Sequence, residues 1–321
     1  MLTFSTDDLR PRERFDYWCE VRARNLFGVT ISLPQDERQH FQGRFTALPI
    51  GGATLSKMQA SPYNVSRSTT DISRASSDSL CIYQQTSGAS WFSTRNGSEF
   101  VVQTNDIAIS HTDVPYLTRP ATAHGFDLRV LKIPLAGRNL PARSRLHLAP
   151  SPIRNDPRLS MVISTSFAIL ATEAAQDPGA DYDAAVHHLA QLALLARGSV
   201  PAGSPDSRAA LRFGFLQAAR SVLARDLQRP GLSPASVAAA LGISVRQLHV
   251  LFEPTGSSFS RTLIAMRLAE ARRLLQSQQA LTVTDIAHAC GFDSLSTFYR
   301  VFRMAYGVTP GDIRATASNA L

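Results

Sequence analysis

Leu281-Thr-Val-Thr-Asp-Ile-Ala-His-Ala-Cys-Gly-Phe-Asp293 can be laid over Leu232-Ser-Pro-Ala-Ser-Val-Ala-Ala-Ala-Leu-Gly-Ile-Ser244, and this duplication decides how the last third of the chain is read. Leu232 matches Leu281, Val237 matches Ile286, Ala238 matches Ala287 and Gly242 matches Gly291. Each copy runs on into a second apolar-periodic segment. Leu248 and Phe252 in the first correspond to Phe298 and Phe302 in the second once one residue is inserted after Gly291. The pattern is that of a helix-turn-helix: a short helix ends at a glycine, the chain turns sharply, and a second helix packs across the first. Gly242 and Gly291 sit where a left-handed or cramped backbone is needed, and Ala238 and Ala287 are small enough for two helices to approach closely.

Local start signals agree with two such units. Ser233-Pro234 is a cap followed by proline at the first helical position, Ser244 and Gln247 form a capping box, and Thr309-Pro310 repeats the cap-then-proline signal. Between the copies, residues 258–275 form one long amphipathic segment with Leu263, Met266, Leu268, Ala271, Leu274 and Leu275 apolar, long enough to join the units rigidly.

The region from about Arg208 to Ala317 resembles the DNA-binding domain of the AraC/XylS family of bacterial transcription regulators. The likeness is carried by Ile286-Ala-His-Ala-Cys-Gly-Phe-Asp-Ser-Leu-Ser-Thr-Phe-Tyr-Arg-Val-Phe-Arg303 and Gly307-Val-Thr-Pro310, and by two units in register rather than one. The resemblance implies that helices over 244–252 and 294–304 enter major grooves about one helical turn apart on one face of double-stranded DNA. With Leu248, Leu251 and Phe252 turned inward, Val245, Arg246, His249 and Val250 face DNA. With Phe298, Val301 and Phe302 inward, Leu295, Ser296, Tyr299, Arg300 and Arg303 do. Arg246 is the candidate for bidentate contact with guanine, Val250 or Leu295 for a thymine methyl, and Arg300 for phosphate or a base edge. Glu253-Pro254-Thr255-Gly256 departs from the family pattern, which often has a basic residue after the first-half phenylalanine, so that corner is expected to sit differently.

Working outward, residues from Val29 to Pro134 change texture. Short apolar runs (Ala53 to Leu55, Leu80 to Tyr83, Phe100 to Val102, Ile107 to Ile109, Leu128 to Ile133) alternate with turn pairs Gly51-Gly52, Ser87-Gly88, Asn96-Gly97 and Asn105-Asp106, which predicts an antiparallel β-sandwich or small barrel. Asn96-Gly97 is the clearest hairpin signal. An opening helix is predicted over residues 9–26, with Phe15 and Trp18 inward. After a proline-rich bridge over 141–157, helical periods return at Leu159, Val162, Ile163, Phe167 and Leu170 and at Val186, Leu189, Leu192 and Leu195. Residues 198–205 have the composition of an exposed linker.

The fold class expected is therefore α+β. Residues 1–150 form an N-terminal antiparallel β-barrel or sandwich with covering helices, 151–199 a helical dimerisation segment, 200–207 a linker, and 208–321 an all-α DNA-binding domain with two helix-turn-helix units joined by a linker helix. Arg14-Phe-Asp-Tyr-Trp18, Gly43-Arg-Phe45 and the run from Asn105 to Tyr116 resemble the cupin-like sensor halves of the same family. This implies a barrel that holds a small-molecule effector, an aromatic acid or amine, or one filled by its own side chains. Arg67, Tyr83, Trp91, Tyr116 and Arg129 are the candidate effector residues, a guanidinium suiting a carboxylate and ring faces suiting the body of the ligand.

Bulk properties fit this reading. The chain has 321 residues, 44% apolar and 18% charged, with a net charge of +8. Thirteen arginines lie from Arg208 onward, where the basic excess is concentrated, which favours an anionic partner for that third. Composition points away from a membrane span, and the start lacks a signal-peptide pattern, so a reducing cytoplasm is the expected location. Cys19, Cys81 and Cys290 lack metal or disulfide spacing, and Cys81 alone invites comparison with a redox sensor. His111 and His124 form no metal-ligand pattern, His187 and His188 point in different directions, and no Walker loop, GxSxG elbow or useful carboxylate pair is found. No cofactor and no catalysis are expected. The reading is a sequence-specific regulator, an effector-responsive activator of a catabolic operon acting as a homodimer with RNA polymerase. Its alternatives are a cupin-type metal-dependent enzyme with a DNA-targeting tail, or a constitutive regulator without ligand.

Overall fold

The structure, a computed structural model, describes residues 1–21, 27–122, 125–136, 148–278 and 280–318. It divides into two compact units, Met1–Gly214 and Phe215–Leu321.

The front unit comprises β1 (Leu2–Ser5), α1 (Arg14–Trp18), β2 (Thr30–Ser32), β3 (Gly43–Ile50), β4 (Ala53–Ala60), β5 (Asn64–Arg67), α2 (Thr69–Arg74), β6 (Ser79–Ser87), β7 (Ser90–Thr94), β8 (Glu99–Val102), β9 (Ile107–His111), β10 (Tyr116–Pro120), β11 (Phe126–Pro134), β12 (Ser151–Pro152), α3 (Pro157–Gln176) and α4 (Asp183–Ala196). The strands form two antiparallel sheets, one ordered β1-β3-β4-β11-β6-β9-β12 and the other β2-β5-β10-β7-β8. Every apolar run singled out above lies within a strand. Gly51 and Gly52 both take positive φ and join β3 to β4 with Ile50 opposite Ala53, the geometry of a tight two-residue hairpin. The Asn96-Gly97 turn joins β7 to β8, with Gly97 at φ +79° and its N–H donating to the Thr94 carbonyl.

The opening helix starts later than its periodicity suggested, at Arg14 rather than residue 9. Among the described residues, α-helix covers Arg14–Trp18 and a π-helical turn continues it through residue 21; Phe15 and Trp18 are buried as expected, ringed by Phe41, Phe45 and Tyr63. Residues 22–26 of that expected helix, residues 141–147 of the proline-rich bridge, and His124 lie outside the described residues. The strand at Leu2–Ser5, paired to β3, carried no periodic signal long enough to announce it.

Helices α3 and α4 pack on each other, and α3 lies against β9. Their predicted stripes (Leu159, Val162, Ile163, Phe167 and Leu170; Val186, Leu189 and Leu192) are buried in the front unit, and Gln84 of β6 donates to the Ser164 hydroxyl. At 20 residues, α3 is by length and composition apolar enough to cross a bilayer, a test that the core helix of a folded unit also passes. Its apolar stripe is covered by the unit's own core.

The rear unit takes in the second half of α5 (Pro205–Asp226), followed by α6 (Pro234–Leu241), α7 (Val245–Phe252), α8 (Phe259–Ser277), α9 (Val283–Ala289), α10 (Leu295–Tyr306) and α11 (Pro310–Ser318). The two copies of the duplication are α6-α7 and α9-α10, and α8 is the connecting helix.

Candidate nucleic-acid interface and ligand cavity

Each probe helix is built by the same local devices. Ser244 caps α7: its hydroxyl accepts from the Gln247 N–H at 3.1 Å, and the Gln247 side chain accepts from the Ser244 N–H at 2.9 Å. Ser294 caps α10 through the Thr297 N–H. Gly242 ends α6 in left-handed backbone at φ +64°, and the chain from α6 into the helical run Val245–Thr255 bends by 99°, the corner of a helix-turn-helix. Gly291 does the same work in the second copy at φ +81°.

The inner faces pack as the spacing predicts. Leu248, Leu251 and Phe252 are buried in α7. In α10, Phe298, Val301 and Phe302 join Ile286, Ala287 and Cys290 of α9 and Leu268, Ala271 and Leu275 of α8 in one core. The outer faces carry the candidate DNA-reading residues. Val245, Arg246, His249 and Val250 are exposed on α7, as are Ser296, Tyr299, Arg300 and Arg303 on α10. Leu295 is half-buried and packs against the second core, which leaves it less side chain for a base than the other eight. Glu253 is exposed in a single 3₁₀ turn directly after α7.

The front unit holds a small, mainly apolar cavity of about 60 Å³ between its sheets. Phe27, Met58, Phe92, Phe126 and Leu128 supply apolar walls, and Tyr83, Gln85, Ser90, Tyr116 and Thr118 supply polar atoms. A water-tight apolar cavity of about 150 Å³ accepts benzene, so a ring-sized ligand has to displace lining side chains here. Two of the five candidate effector residues, Tyr83 and Tyr116, line this space. The Tyr83 hydroxyl accepts from Ser110 at 3.2 Å, and burial raises its pKa well above the usual phenol value.

The other three stand elsewhere. Arg67 is buried, but its guanidinium is occupied by backbone: Nε donates to the Thr112 carbonyl at 3.0 Å and the other nitrogens to the carbonyls of Gly28 and Ala75, with the Asp113 carboxylate at 3.4 Å. Trp91 and Arg129 are absent from the cavity lining because each alternates with residues that do face it, Ser90 and Phe92 on β7 and Leu128 and Val130 on β11. Arg129 lines a separate groove with Lys57, and Trp91 carries the Arg119 guanidinium over its ring at 4.6 Å. Arg119, at the rim, is the arginine among the residues lining the cavity.

Other candidate chemistry resolves simply. His111 Nε2 lies 3.1 Å from Asp78, and its Nδ1 accepts from the Asp113 N–H. No cluster of three metal-ligating side chains occurs among the described residues. Cys81 is buried, and burial pushes its thiol up to about 11, so it is protonated at neutral pH and a poor redox sensor.

Residues 18–196 match an AraC-binding-like domain, and residues 237–316 match a helix-turn-helix domain. The chain belongs to the AraC family of transcription regulators. Among relatives of this AraC-family chain, the transcriptional activator NphR of a Rhodococcus species is 26% identical over 314 residues, 97% of this chain and 92% of its own length. The transcriptional activator RhaS of Escherichia coli is 41% identical over 80 residues, 25% of this chain and 28% of its own. The crystal structure of the AraC-like transcriptional activator CuxR aligns with 90% of this chain and all of its own at a TM-score of 0.50 and 21% identity, a likeness of fold.

Sequence reasoning about this AraC-family regulator missed Arg267. It lies on the inward face of α8, one turn from Leu263 and from Ala271, and is itself buried. A charged residue at a core position of an otherwise apolar stripe was the available signal.

Proposed function

We propose that the chain is an effector-responsive transcriptional activator of a catabolic operon, working in the cytoplasm as a homodimer. In this reading Val245, Arg246, His249 and Val250 of α7 read one major groove, and Leu295, Ser296, Tyr299, Arg300 and Arg303 of α10 read the next. RNA polymerase is the downstream partner. The observation that carries the reading is the pairing of two separately capped helices, each with a buried apolar face and an exposed face bearing arginine beside small or aromatic residues.

The front unit acts as the sensor, with its cavity taking a small effector whose ring lies among Phe92, Tyr83 and Tyr116. An aromatic amine or acid fits the walls. Arg67 is held by backbone carbonyls and the Arg119 guanidinium lies over the Trp91 ring, which favours an amine over a carboxylate. The half-buried apolar residues Met161, Ile169 and Leu195 of α3 and α4 offer the contact for a second copy. The domain roles follow: barrel, helical dimer layer, linker and double helix-turn-helix.

Footprinting on the DNA upstream of its own gene, with the variants Arg246→Ala and Arg300→Ala, tests this reading. Arg246→Ala is expected to cost about 1–3 kcal/mol on the cognate duplex and to relax selectivity at one or two base pairs. Arg300→Ala, as a phosphate contact, is expected to weaken cognate and random duplexes alike and to flatten the salt slope. Equal losses on both duplexes for Arg246→Ala contradict its base-reading role.

A further inference from the structure

Arg267 is buried at 9% exposure, apart from the exposed candidate faces of α7 and α10. Its Nε donates to the Leu227 carbonyl at 2.8 Å and an Nη to the Arg229 carbonyl at 2.7 Å. Those oxygens belong to the segment that leaves α5 and leads into α6, where a helix end has carbonyls without intrahelical donors. A guanidinium is well matched to them, being cationic, planar and able to donate in two directions.

The same side chain touches the second copy of the duplication. Its guanidinium carbon lies 6.0 Å from the centre of the Phe292 ring, directly after the turn between α9 and α10. A Cβ at Gly291 would stand 2.5 Å from the Leu227 carbonyl oxygen and 2.8 Å from an Arg267 nitrogen. The exit of α5, the connecting helix α8 and the turn of the second helix-turn-helix therefore converge on one buried cation. Burial lowers its pKa.

We infer that Arg267 is a positioning residue for DNA recognition, one that fixes the attitude of α10 relative to the α6-α7 unit so that both probe helices engage one duplex together. The inference rests on the DNA-binding reading above. Two linked modules bind about 10²–10⁴-fold more tightly than either alone only while geometry lets both engage. Loss of the junction removes that gain and leaves the binding of each single unit in place. A staple with no such role would instead lower stability and weaken every duplex in proportion.

The test uses the full chain and a duplex selected by the wild-type protein from a random library, together with the same duplex in which the half read by α10 is scrambled. Arg267→Met keeps the buried stem and removes the donors. It is expected to lose about a hundredfold on the intact duplex, to match wild type on the scrambled one, and to recover in part as Arg267→Lys. Dipolar distances between spin labels at Ala239→Cys and Ala289→Cys, in a Cys19→Ser background, are expected to broaden in Arg267→Met. Equal losses on the two duplexes, no loss on either, or an unchanged distance distribution overturns the inference. If Arg267→Met does not fold, Arg267→Lys carries the same comparison, with a smaller loss confined to the intact duplex. A wild-type protein that selects no duplex would instead sink the DNA-binding reading itself.

Discussion

Alanine at Gly307 and alanine at Gly291 make a matched pair that separates backbone strain from close packing. Both glycines follow helices of the second helix-turn-helix and hold left-handed backbone, at φ +73° and +81°. An L-residue in that region costs about 1–2 kcal/mol. At Gly307, the C-cap of α10, an added Cβ meets nothing within 4 Å, so the backbone cost is the whole cost. At Gly291 the Cβ lands 2.5 Å from a backbone oxygen and 2.8 Å from the Arg267 guanidinium, and the oxygen cannot swing away as a side chain does. Overpacking of that kind adds about 1–3 kcal/mol, for about 2–5 kcal/mol in all at Gly291. In scanning calorimetry of the full chain, each kcal/mol moves the transition of a domain near 100 residues by about 4–8 °C. Gly307→Ala is expected to lower the rear-unit transition by about 4–16 °C and Gly291→Ala by roughly twice as much, with the front-unit transition unchanged. Equal shifts for the two variants would refute the reasoning, because they would mean that the Leu227 carbonyl yields freely.

The remaining predictions concern the cap, the cavity and one histidine. Ser244→Ala removes the hydroxyl that caps α7 and is expected to cost about 1 kcal/mol in urea unfolding, with a larger deficit on cognate than on random DNA because α7 frays at its reading end. Ala108→Leu extends a side chain into the apolar cavity. It is expected to abolish the stabilisation of about 2.7 kcal/mol that an effector gives at one hundred times its Kd, while leaving operator binding intact in a gel shift. His188 packs its ring 4.9 Å from Phe213, with its Nδ1 buried and lacking a hydrogen bond, and burial first and His187 second lower its pKa. Its folded pKa lies below the ordinary value near 6.5, so its contribution is present above about pH 6.5 and is lost as pH falls through the folded value. Front-unit melting is expected to weaken on mild acidification, and a His188→Phe variant should remove that slope. A slope that persists in His188→Phe places the titration elsewhere.

The sequence alone determined the local structure of the rear unit, because each device there is written in neighbouring residues. Ser244 and Gln247 cap one turn, Gly242 and Gly291 close the next, and a 3.6-residue period sorts Phe298 and Phe302 inward from Tyr299 and Arg300 outward. The β-strands of the front unit were legible for the same reason, with glycine pairs bounding short apolar runs. Their facing was not. Arg129 and Trp91 carry the chemistry of a ligand site, but a period of two places them away from the cavity, and which face becomes the interior is set by how two sheets close. Arg67 reads in sequence as a guanidinium free for a ligand because its acceptors, the carbonyls of Thr112, Gly28 and Ala75, are backbone groups that only the fold brings to it. Arg267 waited on the tertiary structure for the same cause: carbonyl acceptors leave no trace in side-chain identity, and only the fold brings the end of α5 to the turn at Gly291.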